Sequence, residues 1–346
     1  MPSLKTECSE LSVAFGLLNE ELLSVNTNGL DSLFESTLSL TKYASSKTEY
    51  LDKYNIYERM VGVGKSLREN YGPLNGLSSL KWLGPTQQAT TTTMAKDLLA
   101  GTIPISIKLN SNVVTNFSPY NLFISVPTGG APARGSTNWY LEKAPGKFQA
   151  IYSFARDRCP FILPTDVSDF ERNANGKTRR ALESEILKLT GTDKEQFSKL
   201  YIDFSHEVAS ESAATFNTNL ASALRGRSKN AVIETVCKAF FRMNATEYLI
   251  CGLDKNVEFG MMVPDLTTWK RNWKLNSILA SGDMKREQPR VNIEIKIQDK
   301  RNTSNTYSFD FHAEVRWSHG KFRGKPEAKL YKDFVWNDVP FFNKII

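Results

Sequence analysis

The sequence predicts a mixed α/β (α+β) protein with a helical insert and a β-rich C-terminal lobe. From Glu10 onward, apolar residues recur at the spacing of one helix face, as far as Leu22. The β-branched content rises between Thr90 and Val126, and residues 291–297 and 309–317 alternate between apolar and polar side chains, as half-exposed antiparallel strands do. At 346 residues the chain is long for one compact domain, so more than one lobe is expected.

The N-terminal region begins with helices and continues into strands. Besides the helix from Glu10, the pattern predicts a helix over 30–43 and another from about Ser46 to the Gly72-Pro73 stop signal. After Thr90, turn signals at Gly101 and Ser118-Pro119 separate the predicted strands, which cover 94–99, 102–109 and 120–126.

The middle of the chain, residues 165–245, is predicted to be mostly helical, with helices around 209–224 and 229–243. After residue 246 the stretches TEYLICGL, VNIEIKIQ and TYSFDFHAEVRWS predict strands. These changes in residue pattern predict three consecutive regions, which are 1–160, 161–245 and 246–346.

The charge of the chain favours a polyanionic partner. The formal net charge is +7, and Lys and Arg are concentrated between residues 268 and 332. No apolar run approaches the roughly 20 residues that cross a bilayer. The opening MPSLKTECSELS lacks the features of a secretory signal, so a cytoplasmic location is expected. The four cysteines are scattered, which argues against a disulfide framework or a structural zinc site.

The stretch AKDLLAGTIPISIKLN carries the main candidates for chemistry. Asp97 lies nine residues before Ser106, and Lys108 ends the apolar strand TIPISIK. Alternation along that strand predicts that Ser106 and Lys108 share one face and the isoleucines the other. Hydrolysis of a phosphodiester needs a carboxylate to hold Mg²⁺, a second oxygen ligand, and a cation or base near the attacking water.

This hairpin resembles the active site of the PD-(D/E)xK nuclease superfamily, and more narrowly that of a type II restriction endonuclease. The resemblance implies a restriction-endonuclease-like core, a mixed central sheet flanked by helices, within residues 1–160. It also implies Mg²⁺ as cofactor, double-stranded DNA as substrate and a homodimer. Asp97 would bind the metal, and Lys108 would align or activate the water.

The match departs from the family pattern in one important place, because Ser106 replaces the second acidic residue. Some members of the superfamily recruit this carboxylate from a neighbouring helix, and Glu10 on the first helix is the predicted donor and metal ligand. Glu58 on a later helix is the second candidate. Ser106 is expected to hydrogen-bond a metal-bound water. Alternatively, Glu10 is an exposed glutamate that stabilises the helix dipole.

A second set of residues matches the letters of the PD…ExK motif more closely: Pro264-Asp265 followed by Glu294-Ile295-Lys296. Asp265 is better interpreted as the N-cap of a helix, and Glu294 and Lys296 fit the outward face of a hairpin. The segment GVGKS at 62–66 resembles a phosphate-binding loop, but Arg59 stands where the required first glycine would be.

Two groups of residues are predicted to contact DNA. The first, directly after the catalytic strand, is Asn110, Ser111 and Asn112, whose side chains can donate to phosphate oxygens. The second is the basic segment from residue 316 to 329, with Arg316, His319, Lys321, Arg323 and Lys325 as the predicted contacts. The alternative for this segment is a solvated basic loop.

Taken together, these patterns predict a Mg²⁺-dependent endonuclease that cuts double-stranded DNA at a short specific sequence. The alternative is a non-enzymatic DNA-binding protein in which Asp97 and Lys108 are ordinary surface residues.

Overall fold

A computed structural model describes residues 4–19, 47, 50–51, 54–77, 80–83, 96–132, 138–226, 229–317 and 319–346. Within these ranges the protein is a mixed α/β structure with two mostly antiparallel sheets. The helix predicted over 30–43 lies outside the described residues, as do residues 94 and 95 of the first predicted strand.

The helices of the described ranges occupy the following positions. They are α1 (Leu4–Leu17), α2 (Ile56–Asn70), α3 (Trp139–Lys143), α4 (Pro145–Arg156), α5 (Val167–Asn173), α6 (Gly176–Leu187), α7 (Gly191–Arg225), α8 (Lys229–Phe241) and α9 (Leu266–Asn272). Shorter helical turns lie at Gly72–Leu74, Asn121–Ser125, Val126–Thr128 and Trp336–Asp338.

The strands are shorter in the first part of the chain and longer towards its end. They are β1 (Lys81–Trp82), β2 (Leu98–Ala100), β3 (Ile103–Leu109), β4 (Val113–Phe117), β5 (Tyr248–Asp254), β6 (Val257–Val263), β7 (Trp273–Gly282), β8 (Arg290–Asp299), β9 (Thr306–Trp317), β10 (Pro326–Lys332) and β11 (Asn343–Lys344).

The first sheet has the strand order β1-β2-β3-β5-β6-β11. Its strands pair antiparallel except for β3 and β5, which run parallel, with Lys108 opposite Gly252. The apolar side chains of β3 and β5 pack with α1 and α2 in one hydrophobic core, which includes Leu11, Phe15 and Ile105. This core fixes α1 against the sheet.

Two glycines allow α1 and α2 to approach each other closely. A Cβ atom on Gly16 would collide with the carbonyl oxygen of Val61, and one on Gly64 would collide with that of Val13. Gly64 belongs to the GVGKS segment, which is part of α2. The second glycine of this segment therefore serves helix packing, and the segment lies in a helix as predicted.

The second sheet is antiparallel, with the strand order β4-β10-β9-β8-β7. In β8 every second residue is buried, and β9 follows the same alternation over most of its length. The predicted alternation of residues 291–297 and 309–317 is confirmed. The buried face carries aliphatic and aromatic side chains such as Ile293, Ile295 and Phe311.

The strand predicted over 120–126 is wrong. These residues form the helical turns at Asn121–Ser125 and Val126–Thr128, in which Ser118 Oγ accepts a hydrogen bond from the backbone N–H of Asn121. A short apolar run is compatible with either a strand or a buried helical turn, and here Leu122 and Phe123 are buried on the turn. The strand of this region is β4, which begins immediately after Asn112 and was not predicted.

The chain divides into two compact units, both built from separated segments. The first unit comprises 1–112, 242–273 and 334–346, and the second comprises 113–241 and 274–333. These units do not follow the predicted boundaries at 160 and 245, because the pairing of β3 with β5 joins distant segments in one sheet. Within the second unit a large aromatic cluster, centred on Tyr140, Phe148 and Trp317, forms the core.

Candidate active site

Asp97 is held at the open end of the β2–β3 hairpin. Its backbone N–H donates to the carbonyl oxygen of Ile105 over 2.9 Å. Its side chain turns towards β3, where Asp97 Oδ2 accepts the backbone N–H of Ile107 over 2.6 Å. This pairing places the carboxylate of Asp97 beside the strand that carries Ser106 and Lys108, as the sequence predicts for adjacent strands.

Ser106 lies in the middle of β3 and is fully buried. Among the residues that the structure describes, its Oγ atom has no hydrogen-bond partner. A buried hydroxyl without a partner costs free energy, so it usually marks a place for a water molecule or a ligand. Lys108 follows two residues later, and its side chain is half-buried.

Glu10 projects from α1 towards the hairpin and is only 6% exposed. Its Oε2 accepts the indole N–H of Trp82 over 2.9 Å. The pKa of the Glu10 carboxyl is raised from 4.5 to about 8, mainly by burial and then by the negative charge of Asp97, whereas the Trp82 hydrogen bond and the Lys108 ammonium oppose the rise. Glu10 is therefore electrostatically coupled to Asp97 and Lys108. Glu58, the second candidate donor, is exposed on α2.

Lys108 is surrounded by charges of both signs. Burial lowers the pKa of its ammonium to about 8, and the neighbouring charge of Arg242 lowers it too, whereas Asp97 and Glu10 act in the opposite direction. A lysine with its pKa in this range can either donate or accept a proton near neutral pH. The fold thus brings together the three groups that the sequence selected: Glu10, Asp97 and Lys108.

The parallel pairing of β3 with β5 adds two residues that the sequence did not single out. Cys251 lies opposite Ile107, and burial together with the Asp97 charge raises the pKa of its thiol. Gly252 lies opposite Lys108 with φ +135°, and a Cβ atom there would collide with the carbonyl oxygen of Lys108. Only glycine combines that backbone conformation with such close approach.

Trp82 and Arg242 also belong to the site and were missed by sequence reasoning. Arg242 follows α8 with a positive φ of 56°, and its carbonyl oxygen accepts the hydroxyl of Tyr248 over 3.0 Å. Neither residue lies in a recognisable motif. The available signals were a tryptophan shortly before the hairpin and a basic residue just before a continuous apolar strand, and both are common in proteins without a site.

The donor atoms of the site fit a hard divalent cation. Within the described ranges, no group of three or more His, Cys, Asp and Glu side chains gathers to hold a metal. Mg²⁺ does not need one, because it is commonly bound by one or two carboxylates and retains several waters. The carboxyl groups of Glu10 and Asp97, which interact electrostatically, supply oxygen donors of this kind, and the unpaired Ser106 hydroxyl lies on β3.

The predicted DNA contacts after β3 have different environments. The side chain of Asn110 pairs with Asn256: its Nδ2 donates to Asn256 Oδ1 over 2.7 Å, and its Oδ1 accepts the backbone N–H of Asn256 over 2.8 Å. This exchange joins the end of β3 to the β5–β6 turn. Ser111 is half-buried and Asn112 is exposed.

Two of the arginines predicted to contact DNA form ion pairs within the second unit. Arg316 lies 3.7 Å from carboxylate oxygens of both Glu314 and Glu327. Similarly, Arg323 is 3.3 Å from Glu183. These ion pairs reduce the positive charge that the segment presents to solvent.

Lys321 packs over the ring of Tyr201, with 4.7 Å between its Nζ and the ring centroid, and burial lowers the pKa of its ammonium. His319 and Lys325 are exposed. The segment therefore presents fewer accessible cations than its sequence indicates.

The residues of the more literal PD…ExK match have local structural roles. Asp265 caps α9, where its Oδ1 accepts the backbone N–H groups of Thr267 and Thr268, as predicted. In β8, Glu294 accepts the hydroxyl of Ser308 over 2.8 Å and lies 3.2 Å from Lys296. Asp265 belongs to the first unit and Glu294 to the second, so the two do not share one sheet.

Comparison with models of known protein families, with curated proteins and with solved structures gives no match. Of the helices in the described ranges, none combines the length and the hydropathy needed to cross a membrane.

Proposed function

We propose that this protein is a Mg²⁺-dependent endonuclease that hydrolyses phosphodiester bonds of double-stranded DNA at a short specific sequence, in the manner of a type II restriction enzyme. One observation carries the proposal. Three separate elements, α1, the entry to β2, and β3, bring Glu10, Asp97 and Lys108 close enough to interact electrostatically. Glu10 thereby supplies the carboxylate that the strand itself lacks.

The architecture of the first unit supports the resemblance to the PD-(D/E)xK superfamily. Asp97 lies directly before β2 and Lys108 lies on β3 of the same antiparallel hairpin, and this hairpin belongs to a mixed sheet. The helices α1 and α2 pack on that sheet, and α1 carries the third ionisable group. Asp97 and Lys108 are therefore not arranged as unrelated surface residues.

Each residue of the site has a chemical task in the proposed reaction. A bound Mg²⁺ would polarise the scissile phosphate and help to ionise the attacking water. Asp97 and Glu10 would hold the cation, and Ser106 Oγ would donate a hydrogen bond to a water or accept one from it. Lys108 has a pKa close to neutral, so it can orient the attacking water and take up its proton.

The partners follow from the same proposal. The net charge of +7 suits a polyanion, and a homodimer is inferred from the need of this enzyme class to cut two strands. We place the principal DNA contacts at the exposed polar residues near the site, including Asn112, and at His319 and Lys325 of the basic segment.

The test is cleavage of mixed double-stranded DNA by the purified chain with Mg²⁺. We expect discrete fragments from the wild type, loss of more than a hundredfold in rate for Lys108→Ala, and an unchanged rate for Lys296→Ala, which removes a half-buried lysine from β8. Retained DNA binding without cleavage of any unmodified DNA would overturn the enzymatic proposal in favour of a DNA-binding protein. Loss of cleavage with Lys296→Ala alone would move the active centre to the second sheet.

A further inference from the structure

We infer that Trp82 is a positioning residue that orients the carboxylates of Glu10 and Asp97 so that both can bind one cation. This inference rests on the proposed function and deepens it, because it names the element on which cation binding depends. The element is the two-residue strand β1 with Leu83, which we call the β1 clamp.

The first arm of the β1 clamp is the side chain of Trp82. Its indole N–H donates to Glu10 Oε2 over 2.9 Å, and the indole is fully buried. Glu10 extends from α1, whereas Trp82 is fixed in the sheet, so this bond connects the two layers.

The second arm of the β1 clamp is the backbone. β1 pairs antiparallel with β2, with Trp82 opposite Leu98, and the N–H of Leu83 donates to the carbonyl oxygen of Asp97 over 3.1 Å. The same short strand therefore bonds both residues of the carboxylate pair, one through a side chain and the other through the main chain. Movement of β1 would displace both ligands together.

The hydrogen bonds that orient Glu10 and Asp97 matter because Mg²⁺ tolerates little error in ligand geometry. Partners that orient metal ligands through hydrogen bonds typically change metal affinity by about 10- to 100-fold when they are removed. Without the indole N–H, the Glu10 side chain can rotate, and its buried oxygen loses a donor. We therefore expect weaker cation binding with the chemistry at saturating cation largely retained.

The experiment compares Trp82→Phe with Trp139→Phe in the full chain. Trp139 is the matched control, because it is also buried and its indole N–H also makes a 2.9 Å hydrogen bond, to Ser212 Oγ in the second unit. Three quantities are measured for each protein: the midpoint of thermal unfolding, the Mg²⁺ concentration that half-saturates DNA cleavage, and the affinity for Mn²⁺ without DNA by electron paramagnetic resonance.

We expect Trp82→Phe to raise the half-saturating Mg²⁺ concentration, and to weaken Mn²⁺ binding, by about tenfold or more. The rate at saturating Mg²⁺ should stay within a few fold of the wild type. Trp139→Phe should leave both cation measurements unchanged. Wild-type cation dependence in Trp82→Phe, or equal weakening in both variants, overturns the inference.

A measurement on the wild type keeps the test valid if Trp82→Phe does not fold. The chain has six tryptophans, and substoichiometric Mn²⁺ should broaden the assigned indole resonance of Trp82 before the others. Uniform broadening, or none, contradicts the positioning role. Absence of DNA cleavage by the wild type would overturn the proposed endonuclease, whereas selective broadening would still support a cation site beside Trp82.

Discussion

The raised pKa of Glu10 makes a prediction that needs no substrate. We expect Glu10→Gln to stabilise the cation-free protein at neutral pH, because the variant removes a buried carboxyl group that must otherwise take up a proton when the chain folds. The folded-state pKa of about 8 lies above the ordinary value of 4.5, so the folded protein holds this proton more tightly than the unfolded chain does. The stability that the proton contributes is fully present below pH 4.5 and is lost as the pH rises through 8.

The magnitude follows from this difference in pKa. Each pH unit inside the window costs about 1.4 kcal/mol, which gives a penalty of roughly 1 kcal/mol at pH 5 and up to roughly 3 kcal/mol at pH 7. Lys108 does not contribute to this pH dependence. Its pKa is lowered from 10.5 to about 8, so its effect on stability changes with pH only between about pH 8 and pH 10.5. The advantage of Glu10→Gln over the wild type should therefore grow between pH 5 and pH 7.

The assay is urea unfolding with EDTA present, followed by tryptophan fluorescence at pH 5 and at pH 7. Glu58→Gln is the control, since it makes the same chemical change at a residue that is exposed on α2. On the proposed function, saturating Mg²⁺ should reduce or reverse the advantage of Glu10→Gln, because cation binding would stabilise the wild type more than the variant. An advantage of Glu10→Gln that does not change between pH 5 and pH 7 would refute the burial of Glu10 beside Asp97.

Three further predictions concern the framework of the site. Gly64→Ala should destabilise the protein by about 1 to 3 kcal/mol through overpacking against α1. Gly62→Ala should stabilise it by about 0.5 to 1 kcal/mol, because a Cβ atom there meets nothing within 4 Å. Denaturation midpoints compare the two variants, and equal effects would contradict the close helix contact. Gly252→Ala should weaken the β3–β5 pairing, visible as faster amide hydrogen exchange at Lys108 than in the wild type, and unchanged exchange would exclude this role. Arg242→Met should raise the pKa of Lys108, because a neighbouring positive charge is removed; NMR titration of the lysine side chain measures it, and a lowered pKa would contradict the assignment.

The hairpin was predictable from sequence because its signals are local. Alternation in TIPISIK and the turn at Gly101 define β2 and β3, and the spacing of Asp97 and Lys108 follows from them. The N-cap role of Asp265 is local for the same reason. Glu10 was predictable as a candidate because it lies on the margin of an apolar helix face, but its contact with the hairpin depends on how α1 packs.

The remaining parts of the site depend on contacts between distant segments. β1 has two residues, too few for any periodic pattern, so the bond between Trp82 and Glu10 had no sequence signal. Arg242 precedes β5, whose continuous burial reveals a central strand but not its partner. The partner of Asn110 is Asn256, which lies on a turn far along the chain.

The route of the chain through its two units has a consequence for synthesis. Residues 113–241, most of the second unit, separate β3 from its parallel partner β5, so the ribosome must complete them before Lys108 can meet Gly252. Closing so long a loop carries an entropic cost and makes the first sheet slow to form relative to local helices. If the proposed activity holds, a nascent chain would contain Glu10, Asp97 and Lys108 early. It would not cleave DNA until β5 emerges and completes the first sheet.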